Sequence, residues 1–215
     1  MMDAASYDAW YESARGQWVG ATEYRLLAER LRAREGETLL DVGCGTGFFT
    51  RLLAAQGLRA TGLDLRKDWL DFARSHGDPG SSWVAGDARA LPFPDASFDR
   101  VASVAALCFV DDEPRAAAEI VRVTRGRFAV GLLNRTSLLY LQKGRHGGSG
   151  AYRGARWHDK NEARALFSGL PVRDLAVHSA IFMPSGGLVA RAAEHLLPCA
   201  LPLGALIVVS GERRP

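Results

Sequence analysis

Residues 39–48 read Leu39-Leu40-Asp41-Val42-Gly43-Cys44-Gly45-Thr46-Gly47-Phe48. A short apolar run ends in glycines, and helical spacing resumes at Phe48 and continues to Gln56. This is the pattern of a buried strand, a tight glycine loop and a helix, the place where open α/β sheets bind ligands. A plain turn rarely needs three glycines, so the loop is read as a ligand cradle. The dinucleotide fingerprint is G-x-G-x-x-G, whose third glycine allows close helix–strand packing. Here Gly43 and Gly45 fit, Phe48 stands where the third glycine belongs, and Gly47 falls one residue early. Asp41, just before the loop, would repel a pyrophosphate and would suit a ligand carrying an amino group.

The flanking sequence repeats the alternation. Residues 20–34 have helical spacing, with Tyr24, Leu27, Ala28 and Leu31 on one face. Further strands are expected at 59–65, 82–85, 98–105 and 127–133. Between them lie helices at 68–75 and 112–123, with Gly57 as a C-cap of the helix after the loop. A helix near 160–169 and strands near 171–178 and 204–210 complete the chain. Alternating strands and helices predict a parallel sheet covered on both faces. Residues 144–150 read Gly-Arg-His-Gly-Gly-Ser-Gly and are expected to form a mobile loop.

Two more acids fall at strand ends. Asp64 closes the second strand about twenty residues beyond the loop, the place of a carboxylate that accepts ribose hydroxyls. Asp87 follows the third strand and could accept from an adenine amino group. Three acids at the carboxyl ends of successive strands suit a nucleoside with a cationic, amino-acid-like tail, and suit a dinucleotide poorly.

Those residues carry a resemblance. The chain resembles a class I S-adenosylmethionine-dependent methyltransferase of the small-molecule branch, similar to the ubiquinone/menaquinone-biosynthesis type. The matching pieces are LLDVGCGTGFFT at 39–50, GLDL at 62–65, GDARALPFPDASFDRV at 86–101 and AAEIVRVTRGRFAVGLLN at 117–134. YDAWYESARG at 7–16 is similar to the lid that precedes such a core. The resemblance implies a Rossmann-like, doubly wound α/β sheet of seven strands, mostly parallel, with an antiparallel last strand. It implies that Gly43, Cys44, Gly45 and Gly47 wrap the methionine part of S-adenosylmethionine, with Asp41 near its amino group. Asp64 would hold the ribose, Leu65 would lie beside the adenine, and Asp87 and Ala88 would meet the adenine edge. Ser103 and Val104 would offer backbone to the methionine end, Tyr11 would close over the cofactor, and Asp99 would be structural. Two departures stand out. Cys108 replaces a histidine common in relatives, and is read as a small apolar filler; TRGRF at 124–128 lacks the usual proline and double glycine.

The implied function is methyl transfer to a small-molecule acceptor. The alternatives are an NAD-dependent oxidoreductase and a cofactor-binding module without turnover. No residue is singled out as catalytic: His158 and His146 are weak bases for the task, and Tyr7 and Tyr11 are placed only by the lid. The acceptor pocket is expected between Trp10, Tyr11 and Trp18, the turn at Leu107 and Phe109, and an insert carrying Leu138, Tyr140, Tyr152 and Trp157.

Composition bounds this reading. The chain has 215 residues, 47% of them hydrophobic and 24% charged, the balance of a globular domain. One domain is expected: residues 1–37 as lid and helix, 38–134 as cofactor core, 135–215 as insert and sheet completion. A formal charge of +3 is too small to argue for nucleic acid. Cys44, Cys108 and Cys199 form no disulfide framework and no zinc spacing, so no metal is expected. The N-terminus lacks a basic-then-apolar signal. Pro198 and Pro202 interrupt the longest apolar stretch, so no membrane association is expected and the cytoplasm is the expected location.

Overall fold

The computed structural model describes residues 3–77 and 79–214; Met1, Met2, Asp78 and Pro215 lie outside them. Seven strands form one sheet: β1 (Thr38–Val42), β2 (Arg59–Asp64), β3 (Ser82–Ala85), β4 (Phe98–Val104), β5 (Thr124–Leu133), β6 (Val172–Ala180) and β7 (Leu206–Arg213). Their order is β3-β2-β1-β4-β5-β7-β6. β1 to β5 pair in parallel, and β7 runs antiparallel to both β5 and β6. This is the doubly wound seven-stranded sheet expected from the sequence, with the last strand reversed.

The sheet centre is apolar on both faces because helices cover both. Leu39, Leu40 and Val42 of β1, and Phe128 to Val130 of β5, are sealed from solvent, as parallel strands between two helical layers must be. α3 (Phe48–Ala54), α4 (Lys67–His76) and α5 (Glu113–Val123) are the crossovers. α6 (Lys160–Ser168) opens on a capping box, in which Asp159 accepts from Asn161 and Glu162 N–H groups while Glu162 accepts from Asp159 N–H. At the bottom of the sheet Asp99 Oδ2 accepts from the Thr38 N–H at 3.0 Å and the Thr38 hydroxyl at 2.8 Å, and Arg125 pairs with its other oxygen. These bonds staple β4 to the start of β1, the structural role expected of Asp99.

Several boundaries move. α2 spans Ala14–Leu31 and starts six residues before the periodicity announces it. Ser13 caps it, accepting from Gly16 N–H at 3.0 Å, and its first turns hide from a hydrophobic count because Gly16 and Gly20 stand on the buried face. α1 (Ala4–Trp10) and α7 (Leu188–Leu196) carry no sequence expectation of their own. β5 begins at Thr124, three residues early. α3 ends at Ala54, with Ala55 at the C-cap position; Gly57 lies two residues beyond it. Residues 144–150 are a chain of short turns, continuous with a π-helical turn at Tyr140–Gly144. Gly144 is buried, and a Cβ there would meet the Tyr140 ring at 2.2 Å. Packing thus anchors Gly144 at the start of the stretch, while Arg145, His146, Gly147, Ser149 and Gly150 are exposed.

Candidate functional site

The order β3-β2-β1-β4 brings four strand ends into a row at the carboxyl edge. Asp87 and Ala88 follow β3, Asp64 ends β2, Gly43 follows β1 and Val104 ends β4. The chain leaves β1 toward β2 on one side and returns as β4 on the other, which opens a crevice above β1. The sequence-expected residues therefore meet along one edge, although they come from four separate segments.

The loop is held from below and from the side. Gly43 and Cys44 N–H groups donate to Leu63 O at 2.7 and 3.0 Å. Gly45 N–H donates to Asp64 Oδ2 at 2.8 Å, and Arg66 N–H to Asp64 Oδ1 at 2.9 Å. Asp64 thus fixes the glycine loop and the start of α4 at once, with the remaining lone pairs of each oxygen still available. Gly43, Gly45 and Gly47 all have positive φ, at 74°, 57° and 81°, a conformation that side chains resist. A Cβ on Gly47 would meet Trp83 at 2.4 Å, and one on Gly45 would meet Trp69 at 3.1 Å. Their missing side chains face this chain's own tryptophans, so close packing joins ligand approach as a reason for the glycines.

Asp41 lies beneath the loop. It is 2% exposed, and its Oδ2 accepts from the Thr50 hydroxyl at 2.6 Å. Burial pushes its carboxyl up to about 6 against the pull of Thr50. Asp87 is engaged differently: Arg89 donates to both its oxygens through Nε and to Oδ2 through Nη2 at 2.7 Å. The Arg89 side chain and backbone N–H hold the Asp87 carboxyl down at about 2. Leu65 is 69% exposed beside Asp64, an apolar surface without a protein neighbour to explain it. Burial raises the Cys44 thiol far above its usual range, so it serves the loop as an uncharged filler.

Cys108 fills space too. It is buried, its Sγ accepts from Leu133 N–H at 3.2 Å, and burial pushes its thiol up to about 12. His158 is buried with Nε2 3.0 Å from Glu113 Oε2, and Arg156 donates to the same oxygen at 3.0 Å. Burial raises the Glu113 carboxyl, but His158 and Arg156 together outweigh it and leave the acid below its usual range. This cluster ties the insert to α5. His146 lies in the turn Arg145–Gly147, ahead of Arg156 and His158 in the insert, at φ 56°.

The N-terminal segment closes over the loop. Tyr11 stacks on Phe48 with ring centroids 3.7 Å apart, and Tyr7 packs on Trp69 at 4.9 Å. Arg66 lies over the Trp69 ring at 4.4 Å. Asp8 latches the segment: Arg51 donates to both its oxygens at 2.8 and 3.1 Å, and the Thr46 hydroxyl donates to Oδ1 at 2.8 Å. Sequence reasoning placed Tyr11 here but missed Asp8, Arg51 and Trp69. The signal was available only as a lone acid in the lid and a lone arginine on α3.

These residues fit S-adenosylmethionine. An acid at the end of β2 keeps free lone pairs for hydroxyls, an apolar surface adjoins it, and a buried carboxylate beneath the loop favours a nearby cation. Two buried polar atoms along the edge, Ser103 Oγ and Trp69 Nε1, have no protein partner. Among the described residues, no group of three His, Cys, Asp or Glu side chains could hold a metal ion, and no helix is long and apolar enough to cross a membrane.

Comparison with known proteins gives this arrangement its context. A family model described as a methyltransferase domain matches residues 40–129. A malonyl-[acyl-carrier protein] O-methyltransferase of Serratia marcescens is 39% identical over 126 residues, 57% of this chain and 45% of that protein. An uncharacterized protein of Mycobacterium tuberculosis is 35% identical over 193 residues, 86% of this chain and 63% of that one. The chain spans less than two thirds of the length of these curated relatives. Among solved structures, a Thermotoga maritima S-adenosylmethionine-dependent methyltransferase described as a possible histamine N-methyltransferase superposes with a TM-score of 0.78. It is 24% identical and covers 98% of this chain and 96% of its own.

Proposed function

We propose, from the match of residues 40–129 to a methyltransferase domain model, that this chain is a class I S-adenosylmethionine-dependent methyltransferase that transfers a methyl group to a small-molecule acceptor. The observation that carries the reading is the single edge on which Asp41, the 43–47 loop and Asp64 meet. The runner-up, an NAD-dependent oxidoreductase, is disfavoured by Phe48, which begins α3 where that fingerprint needs its third glycine.

S-adenosylmethionine supplies a methyl group already activated by the sulfonium charge. The protein's tasks are then to bind, to align and to exclude water, and alignment alone can contribute about 7–11 kcal/mol in favourable cases. In this reading Gly43, Cys44, Gly45 and Gly47 hold the methionine part, with Asp41 beneath to favour its ammonium. Asp64 takes the ribose, Leu65 the adenine face, Asp87 and Ala88 the adenine edge, and Val104 offers backbone. Tyr11 and the Asp8 latch close the lid and keep water out. Residues 1–37 act as lid and helix, 38–134 as cofactor core, and 135–215 as the part that shapes the acceptor pocket; no part of the surface is assigned to nucleic acid, and the cytoplasm is the compartment that fits.

Isothermal titration with S-adenosylhomocysteine, followed by tritiated methyl transfer into a metabolite extract, tests this. Binding with labelled product supports the enzyme. Binding without product would favour a cofactor-binding module, and no binding at all would sink the reading.

A further inference from the structure

The inward stripe of α2 runs Gly16, Gly20, Glu23, Leu27 and Leu31, the spacing of one helix face. The two glycines and two leucines are buried, and Glu23 sits half-buried between them. A Cβ on Gly20, one turn before Glu23, would meet the Phe48 ring at 2.8 Å and the Tyr11 ring at 3.0 Å. At this level the stripe therefore faces the start of α3 and the closed lid. The Glu23 charge acts on Tyr7 and Tyr11 from α1 and on Tyr152 from the insert. Among the described residues nothing donates a hydrogen bond to its carboxylate and no cation pairs with it. Burial pushes this acid up to about 8.

An unpartnered, half-buried acid on this face is a costly filler. A leucine would complete the stripe without that penalty. What the arrangement lacks is a cation: a carboxylate one helical turn from the Phe48 and Tyr11 rings is the chemistry that receives an ammonium group. The place is also apt, since the lid over it rests on the loop that would hold the cofactor.

We propose that Glu23, on the face of α2 turned to the lid, receives the basic nitrogen of the methyl acceptor, which is therefore an amine. This rests on the methyltransferase reading. The ammonium enters paired to the carboxylate, and one N–H bond then breaks with its proton passing to a Glu23 carboxylate oxygen. The freed lone pair forms the N–CH3 bond while the S–CH3 bond breaks, its electron pair staying on sulfur. The product leaves as a methylated ammonium, and the Glu23 proton is returned to solvent. An acid that titrates near the working pH suits both halves of that exchange.

The groups on which the Glu23 charge acts are Tyr7, Tyr11 and Tyr152, with Asp64 and Asp8 also acting on Tyr7 and Arg15 on Tyr152. Burial raises all three phenols above their usual range, so they stay neutral while Glu23 ionises. Amine affinity should then rise with pH through the Glu23 titration.

The experiment uses the full chain saturated with S-adenosylhomocysteine, as wild type, Glu23→Gln and Glu23→Asp. Each is titrated calorimetrically with primary amines from ethylamine to phenethylamine and with the corresponding neutral alcohols. The carbon-13 signal of the Glu23 carboxyl is followed in parallel. At least one amine should bind about tenfold more tightly than its alcohol, with the preference lost in Glu23→Gln and partly kept in Glu23→Asp. The carboxyl signal should move to its ionised position when that amine is added. Equal binding of amines and alcohols, or an undiminished preference in Glu23→Gln, would overturn the proposal. So would weakened S-adenosylhomocysteine binding in Glu23→Gln, which would assign the acid to the cofactor. Failure of the wild type to bind S-adenosylhomocysteine marks the failure of the methyltransferase reading instead, and this proposal falls with it.

Discussion

The acids at the strand ends and the acid on α2 are treated in opposite ways. Asp64 and Asp87 accept from backbone N–H groups and, in Asp87, from a guanidinium. Glu23 accepts nothing among the described residues, and burial raises it. The first pair are parts of the scaffold, held by hydrogen bonds before any ligand arrives. The second is a charge the fold leaves unmet. A site that binds a neutral, hydroxyl-rich sugar needs preset acceptors, whereas a site for a cation does best with an uncompensated anion. On the proposed reading, the difference separates a cofactor side that is preorganised from an acceptor side that is completed by its ligand.

The largest expected effect lies on the preorganised side. Asp64→Ala removes the acceptor for Gly45 N–H and Arg66 N–H as well as the proposed ribose contact. S-adenosylhomocysteine affinity should fall about 100-fold, roughly the 3 kcal/mol of a lost charge-assisted hydrogen bond. Calorimetry reads it directly, and a change under threefold would show that Asp64 serves the loop alone.

The second largest concerns the loop itself. Gly47→Ala places a methyl 2.4 Å from Trp83 at a φ of 81°. Unfolding in urea should show a loss of about 2–4 kcal/mol, from overpacking and backbone strain together. Near-unchanged stability would mean that Trp83 yields easily, and that ligand approach is what the position requires.

The two sides also differ in how much the sequence discloses. β1, the glycine loop and Asp64 are read from contiguous residues, because a strand, a turn and a strand end have local rules. Asp99 was legible for a similar reason, since an acid at a strand's start points away from the ligand edge. The acceptor side depends on what meets across the fold. AASYDAW and LVARAAEHL become α1 and α7, yet alanine-rich segments this short carry little pattern of their own. The pairing of Asp8 with Arg51 spans more than forty positions of chain, and no spacing rule joins them. Glu23 was hidden by the usual habit of counting apolar residues: it occupies the helical phase of Gly20 and Leu27, where an acid reads as an interruption. Asked which face it stands on, the same sequence would have marked it.

A third, smaller effect tests the unmet charge without any ligand. The folded-state pKa of Glu23 is raised, so between about 4.5 and 8 the native state holds a proton that the unfolded chain releases. Stability contributed by that group is therefore lost as pH rises across this window. Glu23→Gln removes the loss. The variant should match the wild type near pH 5 and exceed it by about 1–2 kcal/mol near pH 8 in urea unfolding, the part of the shift left after water reaches a half-buried group. A variant less stable at pH 8 would mean that the ionised carboxylate has a partner, and the contrast with Asp64 would disappear.

The smallest effect belongs to Asp87, and it decides whether the strand-end acids are alike. Its carboxylate already receives Arg89 through the backbone N–H, Nε and Nη2, and is held at about 2. An adenine amino group would have to share an oxygen with that guanidinium, in a position where solvent screens the gain. Asp87→Asn keeps an oxygen for the Arg89 N–H and a shape close to the original. It should weaken S-adenosylhomocysteine by less than about threefold, within the range of a screened surface contact. A tenfold loss would instead mean that Arg89 gives way when the nucleoside binds. Asp87 would then stand with Asp64 as a ligand acceptor, but one released from Arg89 by the nucleoside instead of preset for it.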